Sequence, residues 1–172
     1  MINFDYKSLI KDTPNFPTPG VIFKDVSPML ANAEALQYLI RDFALMIDLN
    51  KIDAFVGIES RGFIFASFLS AKLSKGFIPL RKAGKLPPPV ISKSYKLEYG
   101  EATLEIAPSQ SYKPLSVVIC DDVLATGGTL GASIELCQQA GYIVEDIVVL
   151  INLTKLNQMS FNNKPIKSII QY

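Results

Sequence analysis

The feature that most constrains the fold is an apolar, β-branched run that ends at two adjacent acidic residues. Residues 116–120 read SVVIC, a composition that predicts a strand buried on both faces of a parallel sheet. Asp121 and Asp122 follow at once, and the glycine-rich segment ATGGT at 125–129 then leads into a helical pattern at 130–140. The chain therefore presents two carboxylates and a flexible loop where a buried strand ends.

The rest of the apolar pattern predicts a mainly parallel α/β sheet. Helical spacing marks residues 33–48 and 62–74, and short apolar runs predict strands at 54–57, 77–80 and 144–150. Alternation of strands and helices is typical of parallel sheets with helices packed on them. The last of these strands completes a strand–loop–helix–strand unit of about 30 residues, the size of a right-handed crossover.

Three segments lie outside this alternation. Residues 1–30 are rich in proline and predict an irregular arm around a short apolar triplet at 21–23. Residues 81–93 are basic and contain three consecutive prolines, which favours a long exposed loop, and such a loop within a compact domain is usually either functional or disordered. The short runs at 95–97 and 102–106 predict a mobile hairpin.

Composition excludes several kinds of chemistry. The 172 residues suit one domain, and the net charge of +1 argues against nucleic acid as the main partner. Histidine is absent, so neither a histidine-activated nucleophile nor a histidine metal site is possible. The two cysteines lack metal-site spacing and are expected in the core, and the chain is expected to be cytoplasmic, without a membrane partner.

The glycine-rich loop has the properties of a phosphate cradle. Its glycines allow close backbone approach, and the N-terminus of the following helix offers N–H groups and a positive dipole end. Two acids beside a bound phosphate would repel it unless they contact hydroxyl groups or a cation. A ribose 5-phosphate satisfies both conditions, whereas the alternative is a simple turn with solvated acids. No lysine follows the glycines, so the loop is not a Walker A motif.

VVICDDVLATGGT at 117–129 resembles the phosphoribosyl pyrophosphate (PRPP) motif of the type I phosphoribosyltransferases. Further segments resemble the adenine-specific members of this family, in the order of the chain. They are NFPTPGVIFKDVSPML at 15–30, GIESRGF at 57–63, LRKAGKLP at 80–87, SYKLEYGEATLEI at 94–106 and the closing IIQY.

The resemblance implies a fold and an activity. The fold is a twisted, mainly parallel α/β sheet flanked by helices. Residues 1–172 would form one domain, with a hood at about 1–32, a core at about 33–172 and a mobile catalytic loop at about 81–105. The implied reaction is pentosyl transfer from PRPP to adenine in purine salvage, yielding AMP and pyrophosphate.

The resemblance also assigns binding residues. The ribose 5-phosphate site would comprise Asp121, Asp122, Ala125, Thr126, Gly127, Gly128 and Thr129. The pyrophosphate site would comprise Glu59, Ser60, Arg61, Arg81, Lys82 and Lys85, with a cis peptide between the first two and a larger role for Arg81 and Lys85 than for Lys82. The adenine site would comprise Ile22, Phe23, Lys24 and Val123.

The implied mechanism is substitution at the anomeric carbon. Asp121 and Asp122 would stabilise the positive charge that develops on the ribose. Glu98 would handle the purine proton, with the substrate phosphate as the alternative group, and Tyr99 would help to cover the site. Mg²⁺ would be held through substrate and water near the two aspartates, without a direct protein ligand.

Two other functions are compatible with this phosphate motif. A related transferase could use hypoxanthine, guanine, xanthine or orotate, although the hood segment favours adenine. A regulator could bind purines or PRPP without turnover, although the segment carrying Glu98 and Tyr99 favours an enzyme. The family resemblance and the 49% apolar content lead us to expect a homodimer.

Overall fold

The computed structural model describes residues 4–96 and 100–172, which form two compact units, Met1–Phe43 and Ala44–Tyr172. The helices are α1 (Ser27–Leu30), α2 (Ala33–Met46), α3 (Gly62–Leu73) and α4 (Gly128–Gln139), with 3₁₀ turns at Lys7–Leu9 and Leu49–Lys51. The strands are β1 (Lys11–Pro14), β2 (Ile22–Asp25), β3 (Ala54–Ile58), β4 (Gly76–Lys82), β5 (Ile91–Lys96), β6 (Glu101–Ile106), β7 (Ser116–Leu124), β8 (Ile143–Asn152), β9 (Ser160–Phe161), β10 (Lys164–Pro165) and β11 (Lys167–Gln171).

The first unit is more regular than its proline content predicts. β1 and β2 pair in antiparallel register, with Thr13 opposite Phe23. The Lys24 ammonium lies 2.8 Å from the Asp12 carboxylate across the same ribbon. Pro14 is tolerated because β1 is an edge strand of a two-stranded ribbon, where a missing backbone donor costs little. The prediction of an irregular arm is therefore wrong for this ribbon.

The second unit contains the predicted parallel sheet. Its seven strands follow the order β11-β8-β7-β3-β4-β6-β5. The pairs from β11 to β4 are parallel, whereas β6 pairs antiparallel with both β4 and β5. All five residues of β3 are buried, as are most of those in β7. This arrangement confirms the predicted fold class and places β3 and β7 side by side at the centre.

Several elements differ in extent from their predicted bounds. β7 continues through the two aspartates to Leu124 because it pairs with β8 as far as Asn152. β4 includes Arg81 and Lys82, and β5 begins at Ile91, so the irregular stretch between them covers only 83–90. The predicted hairpin is present as β5 and β6, paired from Ile91 to Lys96. In the part of the chain described, no helix is long and apolar enough to cross a lipid bilayer.

A glycine allows α3 to pack closely on the sheet. A Cβ atom added at Gly57 on β3 would lie 2.9 Å from Ala66 Cβ and 2.9 Å from Phe77 Cε2. It would also lie 3.1 Å from the Phe63 Cα, which belongs to the helix backbone. Both side chains and backbone would have to move, so only glycine fits under the first turn of α3.

We predict that Gly57→Ala lowers the free energy of unfolding by about 1–3 kcal/mol, because the added methyl overpacks a buried contact. Gly131→Ala is the matched control, since its nearest surrounding atom, Met159 Cε, lies 3.9 Å from the added Cβ. Alanine at that helical position should leave stability unchanged or raise it by up to about 1 kcal/mol. Urea unfolding of both variants measures the difference, and equal stability of Gly57→Ala and the wild type would contradict the packing argument.

Candidate active site

Two carboxylates stand near the carboxyl end of β7, at the edge where parallel strands present ligand sites. Asp122 is 6% exposed, and its Oδ2 lies 2.6 Å from the Nε of Arg61, which precedes α3. The Asp122 backbone N–H donates a 2.9 Å hydrogen bond to Asp121 Oδ1. The centre of the sheet thus holds two adjacent acids and one arginine.

Burial dominates the electrostatics of this pair. Burial, and after it the neighbouring Asp122 carboxylate, raises the pKa of Asp121 well above its ordinary value. Burial also raises the pKa of Asp122, and the charge of Arg61 opposes that increase. Poorly solvated carboxylates gain from hydroxyl donors or from positive charge placed beside them. The two carboxylates are therefore suited to accept hydrogen bonds from two neighbouring hydroxyl groups and to stabilise positive charge on the carbon next to them.

Gly62 determines how close α3 comes to the acids. A Cβ atom at Gly62 would lie 2.8 Å from the Cys120 carbonyl oxygen and 2.9 Å from Asp121 Oδ1. The helix start therefore abuts β7 at the aspartates. This contact explains why Arg61, one residue earlier, reaches Asp122.

The glycine-rich loop was predicted at 125–129, but α4 already begins at Gly128, so Gly128 and Thr129 belong to the first turn of the helix. Gly127 has a φ of +92°, a left-handed conformation that favours glycine. The loop and the first turn of α4 enclose a cavity of about 90 Å³. Its lining includes all five loop residues of the predicted phosphate site together with Asp121 and Val123. The helix N-terminus makes this cavity favourable for an anion.

Asn157 and Met159 support this loop, although the sequence pattern did not single them out. The Asn157 side-chain amide donates to the Ala125 carbonyl oxygen at 2.7 Å and to Asn152 Oδ1 at 3.1 Å. Met159 Sδ lies 3.0 Å from where a Cβ atom of Gly127 would stand. Both residues are about 30 positions beyond the loop, so no local motif could have revealed them.

A larger, open cavity of about 600 Å³ adjoins the phosphate loop. Asp121 and Thr129 line both cavities, which are therefore neighbours. The other lining residues are Ile58, Glu59, Ser60, Arg61, Lys82, Ala83, Tyr95, Ala102, Thr103 and Asp122. Most of the predicted pyrophosphate segment and both acids thus face one space.

Arg81 and Lys85 are placed differently from the rest of the predicted pyrophosphate residues. Lys85 Nζ donates to Glu59 Oε1 at 2.7 Å, and the Arg81 guanidinium bonds both oxygens of the same carboxylate at 3.3 and 3.4 Å. The Lys82 backbone N–H also donates a hydrogen bond to the Glu59 carboxylate, at 2.9 Å. Of these three residues, Lys82 is the one that lines the open cavity. The larger pyrophosphate role that the resemblance implies for Arg81 and Lys85 stays a prediction.

Glu59 provides the buried carboxylate to which the Arg81 and Lys85 side chains bind. Its side chain is 8% exposed, against 48% for Lys85. Burial by itself would raise the pKa of Glu59. The hydrogen bonds from Lys85, the Lys82 amide and Arg81 outweigh burial and lower the pKa of Glu59 to about 2. The carboxylate is ionised at neutral pH, and the Glu59–Ser60 peptide is cis, as the resemblance implies.

The remaining predicted site residues are distributed as follows. Ile22, Phe23 and Lys24 lie on β2 of the first unit, where the Phe23 ring meets Phe16 edge-on at 5.1 Å between centroids. Val123 lines the smaller cavity of the second unit. Glu98 and Tyr99 fall outside the described residues.

The chemistry of the two aspartates is compatible with magnesium that is bound mainly by a substrate. Mg²⁺ prefers oxygen ligands and retains several waters. Among the described residues, no group of three or more histidine, cysteine, aspartate or glutamate side chains is arranged to hold a metal ion. Asp121 and Asp122 alone would leave most coordination positions to substrate oxygens and water.

Known proteins match almost the whole chain. The profile described as "Phosphoribosyl transferase domain" matches residues 28–170. A curated relative from Bdellovibrio bacteriovorus, named adenine phosphoribosyltransferase, is 55% identical over 168 residues, which cover 98% of this chain and 99% of the relative.

Solved structures agree with the sequence matches. The crystal structure of adenine phosphoribosyltransferase from Thermoanaerobacter pseudethanolicus superposes with a TM-score of 0.90 at 40% identity, covering 98% of both chains. The Saccharomyces cerevisiae enzyme, crystallised with an imino-altritol bisphosphate and adenine, gives a TM-score of 0.88 at 36% identity and covers 96% of each chain. Together with the acids, the phosphate loop and the parallel sheet, these matches show that the chain belongs to the phosphoribosyltransferase family, among its adenine-specific members.

Proposed function

We propose that this chain is a pentosyltransferase of purine salvage, which forms AMP and pyrophosphate from adenine and PRPP. One observation carries the proposal: Asp121 and Thr129 line both the small loop cavity and the open cavity. A phosphate in the first cavity and a pyrophosphate in the second would leave the ribose between them, beside the aspartates. The match to adenine phosphoribosyltransferases over nearly the full chain supports the choice of base.

The donor would be held at its two charged ends. The 5-phosphate would accept hydrogen bonds from the loop 125–129 and the α4 N-terminus. The pyrophosphate would meet Ser60, Arg61 and Lys82 on the open cavity. Arg81 and Lys85 would contribute positive charge from their positions around Glu59, whose backbone is part of the same turn. Magnesium, bound through the pyrophosphate and water near Asp121 and Asp122, would neutralise charge on the leaving group.

The two aspartates would make the main protein contacts to the ribose. Their carboxylates would accept hydrogen bonds from the 2- and 3-hydroxyls, which fixes the ring. As the bond to pyrophosphate breaks, positive charge grows on the anomeric carbon and ring oxygen, and the buried carboxylates stabilise it more strongly than water could. The purine N9 then bonds to the anomeric carbon, and Glu98 would handle the purine proton while Tyr99 helps to exclude water.

Adenine would be bound by the hood. The Phe23 ring would stack on one face of the purine and Val123 would meet the other, while main-chain groups of Ile22 and Lys24 read the amino edge. The Lys24 ammonium is paired with Asp12, which is consistent with recognition by its main chain rather than its charge. We place the reaction in the cytoplasm, because a donor as highly charged as PRPP does not cross membranes unaided.

We predict rapid AMP formation from adenine, PRPP and Mg²⁺, and a loss of at least about 100-fold in kcat for Asp122→Ala. Hypoxanthine, guanine, xanthine and orotate should react far more slowly. Steady-state assays with each base measure both points. AMP formation no faster than IMP or GMP formation would reject adenine as the base, and stoichiometric binding of PRPP without turnover of any base would support a regulator instead.

We predict that Glu98→Gln lowers kcat by about 100-fold or more, since a glutamine can hydrogen-bond the purine but cannot exchange its proton. KM for adenine should change little. Glu101→Gln, an exposed acid three residues later on β6, is the control and should keep full turnover. A nearly unchanged kcat in Glu98→Gln would mean that the substrate phosphate, and not Glu98, handles the purine proton.

We also propose a homodimer that buries the exposed aromatic side chains around α3. Phe68 on α3 is 36% exposed and Phe77 on β4 is 38% exposed, so both rings leave apolar surface in contact with water. The Phe63 ring contacts Phe77 at 5.6 Å between centroids, which extends the apolar surface across the helix and the strand.

We predict that light scattering gives twice the chain mass for the wild type and that Phe68→Asp shifts the protein towards the monomer, because a carboxylate would be desolvated in the interface. Leu45→Asp is the control, since Leu45 is a large apolar residue that is already 71% exposed on α2. An unchanged dimer in Phe68→Asp would place the interface elsewhere.

A further inference from the structure

A tyrosine on the β5–β6 hairpin contacts the phosphate loop at 125–129. Thr129, the second residue of α4, donates a hydrogen bond from its Oγ1 to the Tyr95 hydroxyl oxygen on β5, at 3.3 Å. Both residues line the open cavity that also contains the two aspartates. Neither sequence position nor family motif assigned a role to Tyr95.

The same face of β5 is held on α4 at a second point. Alternate residues of a strand share a face, so Ile91, Lys93 and Tyr95 point to the same side. Lys93 forms an ion pair with Glu135, six residues beyond Thr129 on α4, with 2.5 Å between Nζ and Oε2. Ile91 and Tyr95 also pack against the buried core of the second unit. β5 is the last strand in the sheet order, so α4 contributes much of what positions it.

The single hydroxyl proton of Thr129 gives the Tyr95 hydroxyl a specific role. A threonine hydroxyl has one proton to donate and two lone pairs to accept with. Phosphate oxygens accept hydrogen bonds, so a 5-phosphate in the loop competes with Tyr95 for the proton of Thr129. Both contacts survive if the Tyr95 hydroxyl rotates and donates its own proton to Thr129 Oγ1. The threonine would then be held with its proton directed at the phosphate.

We propose that Tyr95 is a positioning residue for the 5-phosphate of the donor, acting through Thr129. The inference rests on the proposed function, because it uses Thr129 as a phosphate ligand. It also gives the phosphate loop a connection to the catalytic segment, since Glu98 follows Tyr95 by only three residues in the sequence.

Tyr95→Phe is the direct test, because it removes the hydroxyl and keeps the ring that packs on the core. We predict that KM for PRPP rises roughly two- to tenfold, the range that corresponds to loss of one neutral hydrogen bond. KM for adenine and the urea midpoint should stay unchanged, which separates positioning from a loss of fold. Tyr112→Phe is the matched control, since Tyr112 is fully exposed, and it should behave as wild type. A KM for PRPP equal to that of the wild type would overturn the proposal.

A double-mutant cycle tests whether Tyr95 acts through Thr129. In a Thr129→Ala background the hydroxyl of Tyr95 has no threonine to orient, so Tyr95→Phe should add no further increase in KM for PRPP. Additive effects of the two substitutions would overturn the proposal, because they would mean that Tyr95 acts independently of Thr129.

Binding of ribose 5-phosphate, measured by calorimetry, keeps this inference separate from the proposed reaction. Tyr95→Phe should weaken that binding by the same two- to tenfold, and Tyr112→Phe should not. If the wild type turns over no base but this difference is observed, the reaction is wrong and the role of Tyr95 stands. If AMP forms rapidly while Tyr95→Phe and wild type bind ribose 5-phosphate equally, the role of Tyr95 is wrong and the reaction stands.

Discussion

The burial of most of β7 between two parallel neighbours is the constraint on which the rest of the site depends. β3 and β8 pair with it on either side, and its apolar residues Val117, Val118 and Ile119 are fully buried. The backbone of a strand held in this way has no freedom to shift along its axis. The two aspartates near its carboxyl end are therefore held in fixed positions, and burial of their carboxylates follows from the sheet.

Close approach and charge pairing then organise the surroundings of the acids. Gly62 brings the start of α3 against Asp121, and the neighbouring Arg61 reaches Asp122. On the other side, Glu59 gathers Lys85 and Arg81 around one buried carboxylate. Asp122 and Glu59 thus each have a cationic partner before any ligand arrives. A site arranged in advance needs little reorganisation when an anionic donor binds and a cationic ribose develops.

Residue pattern alone predicted most of the sheet and the glycine-rich loop beside the two aspartates, whereas the other site residues were assigned by the family resemblance. The helices α2 and α3 and the strands β3 and β6 agree closely with their predicted positions, because apolar periodicity and turn residues report local structure directly. The hairpin partner β5 begins at Ile91, four residues before its predicted start. The N-terminal ribbon was missed, since each of its strands has only four residues and β1 is polar. The extension of β7 through both acids was also missed, because pairing with β8 outweighs the weak strand preference of aspartate.

The sequence by itself determined the buried strand, the two carboxylates, the glycine-rich loop and the family to which they belong. These features are contiguous in the chain, and their chemistry follows from composition and spacing. Only the tertiary structure decided which distant groups meet them: Asn157 on the Ala125 carbonyl, Lys82 rather than Arg81 on the open cavity, and Tyr95 on Thr129. Such contacts join residues about 20 to 40 positions apart, and they depend on strand order and helix packing, which local pattern does not encode.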